Sequence, residues 1–282
     1  MLFRSEASRF LYYALFADER PPELAAIHAG LGDIATKING AWTKPGHEVL
    51  IPHLATMVRG SALMNAASSV LDAAANKTAE LYIGCLALGC GWRITLDDPD
   101  HSSGGANPDV ILERRGSSWS IAVKTIHGRS SQTIFDNIKG AVRQIERSGK
   151  PGIVFISLKN RIDHGELLLP IEKHTSVESA NDTLDHVVRE LIWRLRQDIV
   201  DVDWVDAFQG KLARPIVAFM GQSVAPAQVT PERSFYVPIR LIAALPVPPL
   251  VTTDPKFVGL DQEAWDMLGE LNRELQRPPP SS

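Results

Sequence analysis

The sequence contains few cysteines and no long apolar run, and each shortage excludes a class of protein. Its two cysteines, Cys85 and Cys90, have no companion Cys or His at a metal-site spacing, which favours buried thiols in a reducing compartment over a zinc site. No stretch approaches the roughly 18 consecutive apolar residues of a membrane span. The apolar run at 11–16 has charged flanks, unlike a signal peptide. We therefore expect a cytoplasmic protein that does not associate with membranes.

Neither sign of charge dominates the chain, yet the charges are distributed unevenly. The net charge is −4, with 44% hydrophobic and 22% charged residues, a composition that is ordinary for a globular protein and unlike a disordered or fibrous one. Residues 110–161, however, contain ten Lys or Arg and three Asp or Glu, so this segment carries +7 and the remainder −11. Such a segment is typical of a protein that binds a phosphate backbone, although a solvated basic face has the same composition.

The spacing of apolar residues predicts a helical first third, followed by strands. A helix broken at Pro21-Pro22 is predicted over residues 6–38, and helical structure with possible breaks at Gly60 and Asn76 is predicted over 48–90. From residue 92 the apolar period becomes that of strands, with a short strand at 92–96. The polar, Gly-rich segment 97–107 that follows is predicted to be an exposed loop.

Two apolar runs, 108–112 and 119–124, are predicted to form a hairpin around a turn at 116–118. A helix is predicted over 130–148, begun by a Ser and stopped by a Gly, and a buried strand at 153–158 follows it. The predicted order from about residue 76 is therefore helix, three strands, helix, strand.

The last part of the chain predicts further helices and apolar runs. An amphipathic helix is predicted over 176–208 and a final helix over 261–276, before a Pro-rich tail with a disordered composition. The apolar runs at 215–220 and 235–245 fit either extra strands of the sheet or a small satellite layer.

These elements predict an α/β (α+β) fold built on a mixed central sheet. We expect an N-terminal helical region over 1–75, a core over 76–165 and a C-terminal helix and strand extension over 166–282.

One pair of residues in the predicted hairpin points to chemistry. Pro108-Asp109 opens the first strand, and Lys124 closes the second in the frame acid-any-Lys. Together with the element order, this pattern resembles the active-site hairpin of the PD-(D/E)XK nuclease superfamily, the restriction-endonuclease-like proteins. The chain departs from that pattern at Ala122, where the superfamily has Asp or Glu. Since residues two apart on a strand face the same side, Ala122 is expected to face the site without providing an oxygen.

The resemblance implies a Mg²⁺-dependent (or Mn²⁺-dependent) nuclease that hydrolyses DNA, with RNA not excluded. It implies that Asp109, Glu80 on the preceding helix and the backbone carbonyl of Val123 hold the metal ion, and that Lys124 positions the attacking water. Products with a 5′-phosphate and a 3′-hydroxyl, and a role in restriction, antiviral defence or repair, are implied in the same way.

The resemblance also implies a nucleic-acid surface beside the helix at 130–148. Lys139 and Arg143, one turn apart, are candidates to contact backbone phosphates, together with Arg129 and Gln144. A homodimer or a partner defence protein is compatible with the resemblance. His127, in the loop after Lys124, is either incidental or a proton carrier.

Three accounts of Ala122 remain open. The acid was replaced deliberately to inactivate a toxic nuclease, or it migrated to Asp136 or Glu146 on the next helix, or the chain is a naturally inactive relative. The first two accounts favour an enzyme family, and the third favours a binding subunit for nucleic acid or protein. An unrelated α+β protein with a coincidental motif is the remaining alternative.

Overall fold

A six-stranded mixed sheet organises the protein, and helices cover both of its faces. The computed structural model describes residues 22–68, 72–99, 107–169, 174–230, 233–247 and 255–277. Within these ranges the helices are α1 Pro22–Trp42, α2 Ile51–Met57, α3 Ala73–Gly89, α4 Ser131–Ser148, α5 His164–Leu168, α6 Val177–Asp198, α7 Asp201–Phe208 and α8 Pro255–Gln276, with a 3₁₀ turn at His47–Leu50. The strands are β1 Arg93–Leu96, β2 Val110–Arg114, β3 Ser117–Thr125, β4 Gly152–Ser157, β5 Ala213–Thr230 and β6 Arg233–Pro246.

The strands lie in the sheet in chain order, β1 to β6. The first three pair antiparallel as a meander, β4 runs parallel to both β3 and β5, and β6 returns antiparallel to β5. The parallel pair β3 and β4 requires a crossover, which α4 provides. From α3 to β4 the observed order is helix, three strands, helix, strand, as predicted. The α/β class with a mixed sheet is therefore confirmed.

The alternation of side chains along β3 divides the core between the two faces of the sheet. Ile121 and Val123 belong to a hydrophobic cluster with residues of α3 and α8. Ala122 belongs to a second cluster, with residues of α4 and α6 on the opposite face. Because both faces of β3 and β4 are covered, these strands are apolar throughout, and Gly152–Ser157 is fully buried.

The tight turn of the β2–β3 hairpin differs from the predicted one. Arg115 (φ 50°) and Gly116 (φ 83°) both adopt the left-handed conformation, so the turn has two residues and β3 already begins at Ser117. Two residues with positive φ are typical of the turn that matches the twist of paired strands. The prediction placed the turn at 116–118 because Ser is common in turns and Arg with positive φ is not.

The cap residues of α4 are those that the sequence predicts. The Ser130 side chain accepts a hydrogen bond from the Thr133 amide at 3.1 Å, and Gly149 (φ 67°) ends the helix. The predicted helix at 176–208 is wrong in one respect, because it is two helices. The chain becomes extended at Ile199 and Val200, and α7 begins at Asp201.

The C-terminal apolar runs are strands of the main sheet and not a satellite layer. They form the long hairpin β5–β6, with β5 hydrogen-bonded to β4. Within the described ranges, no helix has the length and apolar character needed to cross a membrane. Three predicted segments extend outside the described residues. They are the helix at 6–38 before residue 22, the loop at 97–107 over residues 100–106, and the Pro-rich tail after residue 277.

Candidate active site

Asp109 and Lys124 meet at the start of β2 and the end of β3. The Lys124 Nζ lies 3.6 Å from the Asp109 Oδ2, and the same oxygen accepts a hydrogen bond from the Val123 amide at 2.7 Å. The Val123 amide donates to this side chain because β2 begins only at Val110, leaving the amide without a strand partner there. The expected proximity of Asp109 and Lys124 is therefore found.

Gln144 of α4 joins the two charged residues. Its Nε2 donates to the Asp109 Oδ1 at 3.2 Å and also to the Asn107 carbonyl, and its Oε1 accepts from the Lys124 Nζ at 2.6 Å. The side chain is 2% exposed. Sequence reasoning placed Gln144 on a nucleic-acid surface, whereas the structure places it inside the site. The available signal was a polar residue within the apolar stripe of α4.

Glu80 lies on α3 and is 4% exposed. Its Oε2 is 2.8 Å from the Lys77 Nζ and 3.2 Å from the His53 Nε2. His53, from α2, was missed by the sequence reasoning because a single His in a short helix follows no motif. Glu80 and Asp109 are close enough to interact electrostatically, so the two acids predicted for the site are on the same side of the molecule.

Burial and like charge perturb Asp109. Removal from water raises the pKa of this carboxyl group, and the negative charge of Glu80 raises it further. The positive charge of Lys124 and the hydrogen bonds from the Val123 amide and Gln144 act in the opposite direction, but burial dominates. The site therefore holds an aspartate that gains stability when a cation approaches it or when it takes up a proton.

Ala122 shares a strand face with Lys124, but its side chain does not border an open cleft. It is fully buried and belongs to the hydrophobic cluster that contains Ile138 and Ala141 of α4. In the antiparallel register, Val110 pairs with Ile121, so Asp109 lies across from Ala122. A carboxylate at position 122 would therefore be next to Asp109 and beneath α4.

The account in which the missing acid migrated along α4 is not supported by the geometry. Asp136 pairs with the Lys139 Nζ at 2.8 Å on the exposed side of the helix. Glu146 accepts hydrogen bonds from the amides of Leu212 and Ala213 at the start of β5. Both side chains are engaged away from Asp109, so neither replaces the carboxylate expected at 122.

The predicted nucleic-acid contacts separate into different places. Lys139 and Arg143 line a cavity of about 660 Å³ together with Asp203 and Asp206 of α7. Arg129 lines another cavity, of about 740 Å³, on the side of the molecule that carries α1. The four predicted residues Lys139, Arg143, Arg129 and Gln144 therefore do not form one surface.

The basic segment is also partly neutralised by the C-terminal helix. Arg114, whose side chain is 2% exposed, donates to Glu270 at 2.5 Å and lies 3.5 Å from Glu263, and Arg115 lies 3.5 Å from the same Glu270. These two cations of the segment therefore fix α8 against the sheet and are not free to bind phosphate.

The acids at the candidate site are Asp109 and Glu80. Among the described residues, no group of three or more His, Cys, Asp and Glu side chains is arranged to hold a metal ion. Comparison of the chain with models of protein families, with curated proteins and with solved structures found no match.

Proposed function

We propose that the protein is a nuclease of the PD-(D/E)XK type with a restriction-endonuclease-like core, acting on DNA. The observation that carries the proposal is the contact of Asp109, Lys124 and Gln144 at the ends of neighbouring strands, with Glu80 on the preceding helix. Support also comes from the order of elements from α3 to β4. A role in restriction or antiviral defence is part of the proposal and rests on the resemblance alone.

The residues present fit a magnesium ion. Mg²⁺ is usually held by one or two carboxylates together with waters and phosphate oxygens. Asp109 would supply one carboxylate, and Glu80 would supply the second on turning from Lys77 and His53. The N–H and C=O of a strand residue point to the same neighbour, so the Val123 carbonyl points to the side on which its amide reaches Asp109. When bound, the metal ion would lower the pKa of a water and polarise the scissile phosphate.

Lys124 is the residue that would act on the reacting groups. Its ammonium lies between Asp109 and Gln144, which hold it at the mouth of the hairpin with 26% of the side chain exposed. In that position it would orient the attacking water and stabilise the negative charge that develops on the phosphate. Gln144 would fix the lysine side chain and one oxygen of Asp109.

A second candidate function is a binding subunit that uses the same fold without cleaving. The burial of Ala122 among apolar side chains favours it, since this position has been packed as core. In such a protein Asp109, Lys124 and Gln144 would be a structural polar network whose hydrogen bonds are already made.

The test compares the chain with variants at two positions of the site, 122 and 124. We expect little or no Mg²⁺-dependent or Mn²⁺-dependent cleavage of DNA by the chain as it stands. Ala122→Asp and Ala122→Glu are expected to raise cleavage at least about 100-fold, because a regained ligand restores several kcal/mol of electrostatic stabilisation. Adding Lys124→Ala should abolish the restored activity, which excludes a contaminating nuclease.

Stability and metal affinity must be measured with the same variants. A buried carboxylate at 122 is costly without a cation, so Mg²⁺ should raise the melting temperature of Ala122→Asp more than that of the parent chain. If folded Ala122→Asp and Ala122→Glu neither bind Mg²⁺ nor cleave DNA or RNA, the nuclease proposal fails and the binding subunit remains.

A further inference from the structure

A second group of polar residues lies where the parallel strands β3 and β4 end. Five side chains contribute to it, and we call them the strand-end cluster: Thr125, His127, Ser157, Lys159 and Arg161. Thr125 and Ser157 are direct neighbours in the parallel register, and the other three follow in the loops after the strands. Carboxyl ends of parallel strands are common places for ligand binding in α/β proteins.

The strand-end cluster has buried hydrogen-bonding atoms that nothing satisfies. Within the described part of the chain, His127 Nε2, Lys159 Nζ, Arg161 Nε and the hydroxyls of Thr125 and Ser157 have no hydrogen-bond partner. Lys159 is 1% exposed, and Ser157 is fully buried. Buried polar groups are nearly always paired, so such a concentration at one place indicates a missing partner.

The hydrogen bonds of Asn160 determine that His127 is a donor. The Asn160 Oδ1 accepts from the Ser68 amide at 2.7 Å, which turns its NH₂ group towards the His127 Nδ1 at 3.1 Å. Burial and the neighbouring Lys159 lower the pKa of His127, so the ring is neutral at pH 7. With Nδ1 accepting, the proton is on Nε2. His127, Lys159 and Arg161 therefore all carry donors without an acceptor. Of these three residues, Arg161 lines the cavity described below, and a ligand that satisfies it there is rich in acceptors.

The positive charges near the strand-end cluster also lack an anion. Burial and, after it, the positive charge of Arg129 lower the pKa of the Arg161 guanidinium, and among the described residues neither arginine forms an ion pair. Both line the cavity of about 740 Å³, together with Asn160, His164 and Ser223. Glu23 and Asp163 also line it, but Asp163 is used as the cap of α5, accepting from the Glu166 amide at 3.1 Å.

We propose that this cavity binds the phosphate monoester group of a nucleotide, either free or at the end of a nucleic-acid strand. Two arginines match a group that carries a charge between about −1.5 and −2 at neutral pH better than they match a diester with a single charge. The apolar lining from Ala26, Ile27 and Leu168 offers a surface for the nucleoside. A cavity of this size is within the usual range for small ligands.

Binding of the terminal phosphate of a nucleic-acid strand rests on the proposed function, whereas binding of a free nucleotide does not. Lys124 and Arg129 are separated by a short loop, which fully extended spans at most about 18 Å. A strand that reaches the proposed catalytic site could therefore place its terminal phosphate in this cavity. The protein would then act at or near phosphorylated ends.

Calorimetric titration with 2′-deoxyadenosine 5′-monophosphate, and with deoxyadenosine as the probe without phosphate, tests the cavity. We expect the monophosphate alone to bind, with affinity reduced at least about tenfold in Arg161→Gln and in Arg129→Gln. The affinity of Arg161→Lys for the monophosphate should lie between those of the parent and Arg161→Gln, because lysine retains the charge but not the planar pair of donors. Arg194→Gln, which removes an exposed arginine of α6 paired with Glu190, is the matched control.

Short oligonucleotides with a 5′-phosphate, a 3′-phosphate or two hydroxyl ends distinguish the two sources. If the protein prefers one phosphorylated end and the preference disappears in Arg161→Gln, the ligand is the end of a nucleic-acid strand. If only the free nucleotide binds, the ligand is a small molecule. These preferences are measured without divalent cations, so the cavity can be confirmed even if the nuclease proposal fails. Equal binding of phosphorylated and unphosphorylated probes, or binding that folded Arg129→Gln and Arg161→Gln both retain, overturns the inference.

Discussion

Lys159 is a residue whose burial destabilises the protein. Burial lowers the pKa of its ammonium group to about 8, although the attraction of Asp72 opposes the shift. Both the folded and the unfolded chain carry the proton below pH 8, and there the folded state bears the whole cost of the buried charge. We therefore expect Lys159→Met to stabilise the protein at pH 7 by about 1–3 kcal/mol.

The pH dependence separates this effect from a change in packing. As the pH rises from about 8 towards 10.5, folded Lys159 loses its proton before the unfolded chain does, so the parent protein gains stability relative to the variant. Urea unfolding at pH 7 and pH 10 measures the difference, with Lys150→Met as the control. A stability gain that is the same at both pH values would show that the charge is not its cause.

Gln144 provides a second way to supply a carboxylate to the candidate site. Its amide group already contacts Asp109 and Lys124, so Gln144→Glu would introduce an acid of the same shape without disturbing the apolar cluster around Ala122. Two close carboxylates repel each other, and a divalent cation relieves that repulsion. We expect Mg²⁺ or Mn²⁺ affinity to rise at least about tenfold by calorimetry, and the melting temperature without metal to fall.

The comparison with Gln144→Met completes that experiment. Methionine keeps the length of the side chain but has no carboxylate, so metal affinity should not rise. An equal metal response of the Glu and Met variants would place the cation away from Asp109.

The residues of the candidate site differ in how far the sequence could reveal them. Asp109 and Lys124 lie within one hairpin, so strand alternation and a short turn bring them together almost independently of the rest of the fold. Glu80 was suggested by its position on the helix before the first strand. His53 and Gln144 reach the site through tertiary packing of α2 and α4. The sequence signal for Gln144 is a polar residue within an apolar stripe, and His53 has none.

At the level of elements, ion pairs between the β2–β3 hairpin and α8 hold the C-terminal helix on the sheet. Arg114 is almost fully buried and contacts both Glu263 and Glu270. Loss of the nearer partner, Glu270, leaves the buried charge of Arg114 compensated only by Glu263 at 3.5 Å. We expect Glu270→Gln to destabilise the protein by about 1–3 kcal/mol in urea unfolding, and Glu190→Gln on the exposed face of α6 to have little effect.

The Arg114–Glu270 ion pair also makes the stability of the protein depend on pH. The hydrogen bond from Arg114 lowers the pKa of Glu270 below its ordinary value of 4.5. The contribution of this ion pair to the free energy of unfolding is therefore complete above pH 4.5, and it is lost as the pH falls through the lower pKa of Glu270 in the folded state. The stability difference between the parent and Glu270→Gln should narrow as the pH falls below 4.5, and a difference that does not narrow on acidification would contradict this assignment.

The elements that were predicted well have local signals at their ends. A Ser cap and a terminal Gly determine the limits of α4, and both act within a few residues. The division between α6 and α7 has no Pro or Gly, so apolar spacing alone continued the helix through it. The runs at 215–220 and 235–245 join the main sheet through the pairing of β5 with β4. This pairing joins distant parts of the chain, so no local signal predicts it.

For the molecule as a whole, the excess of positive charge in residues 110–161 does not translate into one basic surface. Arg114 and Arg115 are paired with α8, and Lys139 is paired with Asp136. Arg129 and Arg161 are the cations of this segment that line the cavity beside the strand-end cluster. Binding to a phosphate backbone should therefore depend on only a few of the ten cations.

The salt dependence of the proposed DNA binding measures how many cations take part. Each phosphate contact that is lost lowers the slope of log affinity against log salt by about one unit. Since Lys139 is already neutralised by Asp136, the double variant Lys139→Ala, Arg143→Ala should flatten the slope by about one. The double variant Arg129→Gln, Arg161→Gln should flatten it by about two, because both arginines lack an acidic partner among the described residues.

Fluorescence anisotropy with a labelled 5′-phosphorylated DNA strand, between about 50 and 200 mM salt, provides the measurement. Arg189→Gln, Arg194→Gln serves as the control double variant, since both arginines are exposed and paired within α6. If the slope falls more in the Lys139 and Arg143 double variant than in the Arg129 and Arg161 double variant, the DNA lies along the cavity beside α7. In that case the strand would cross the outer face of α4, and a terminal phosphate in the cavity at the end of β4 would be ruled out.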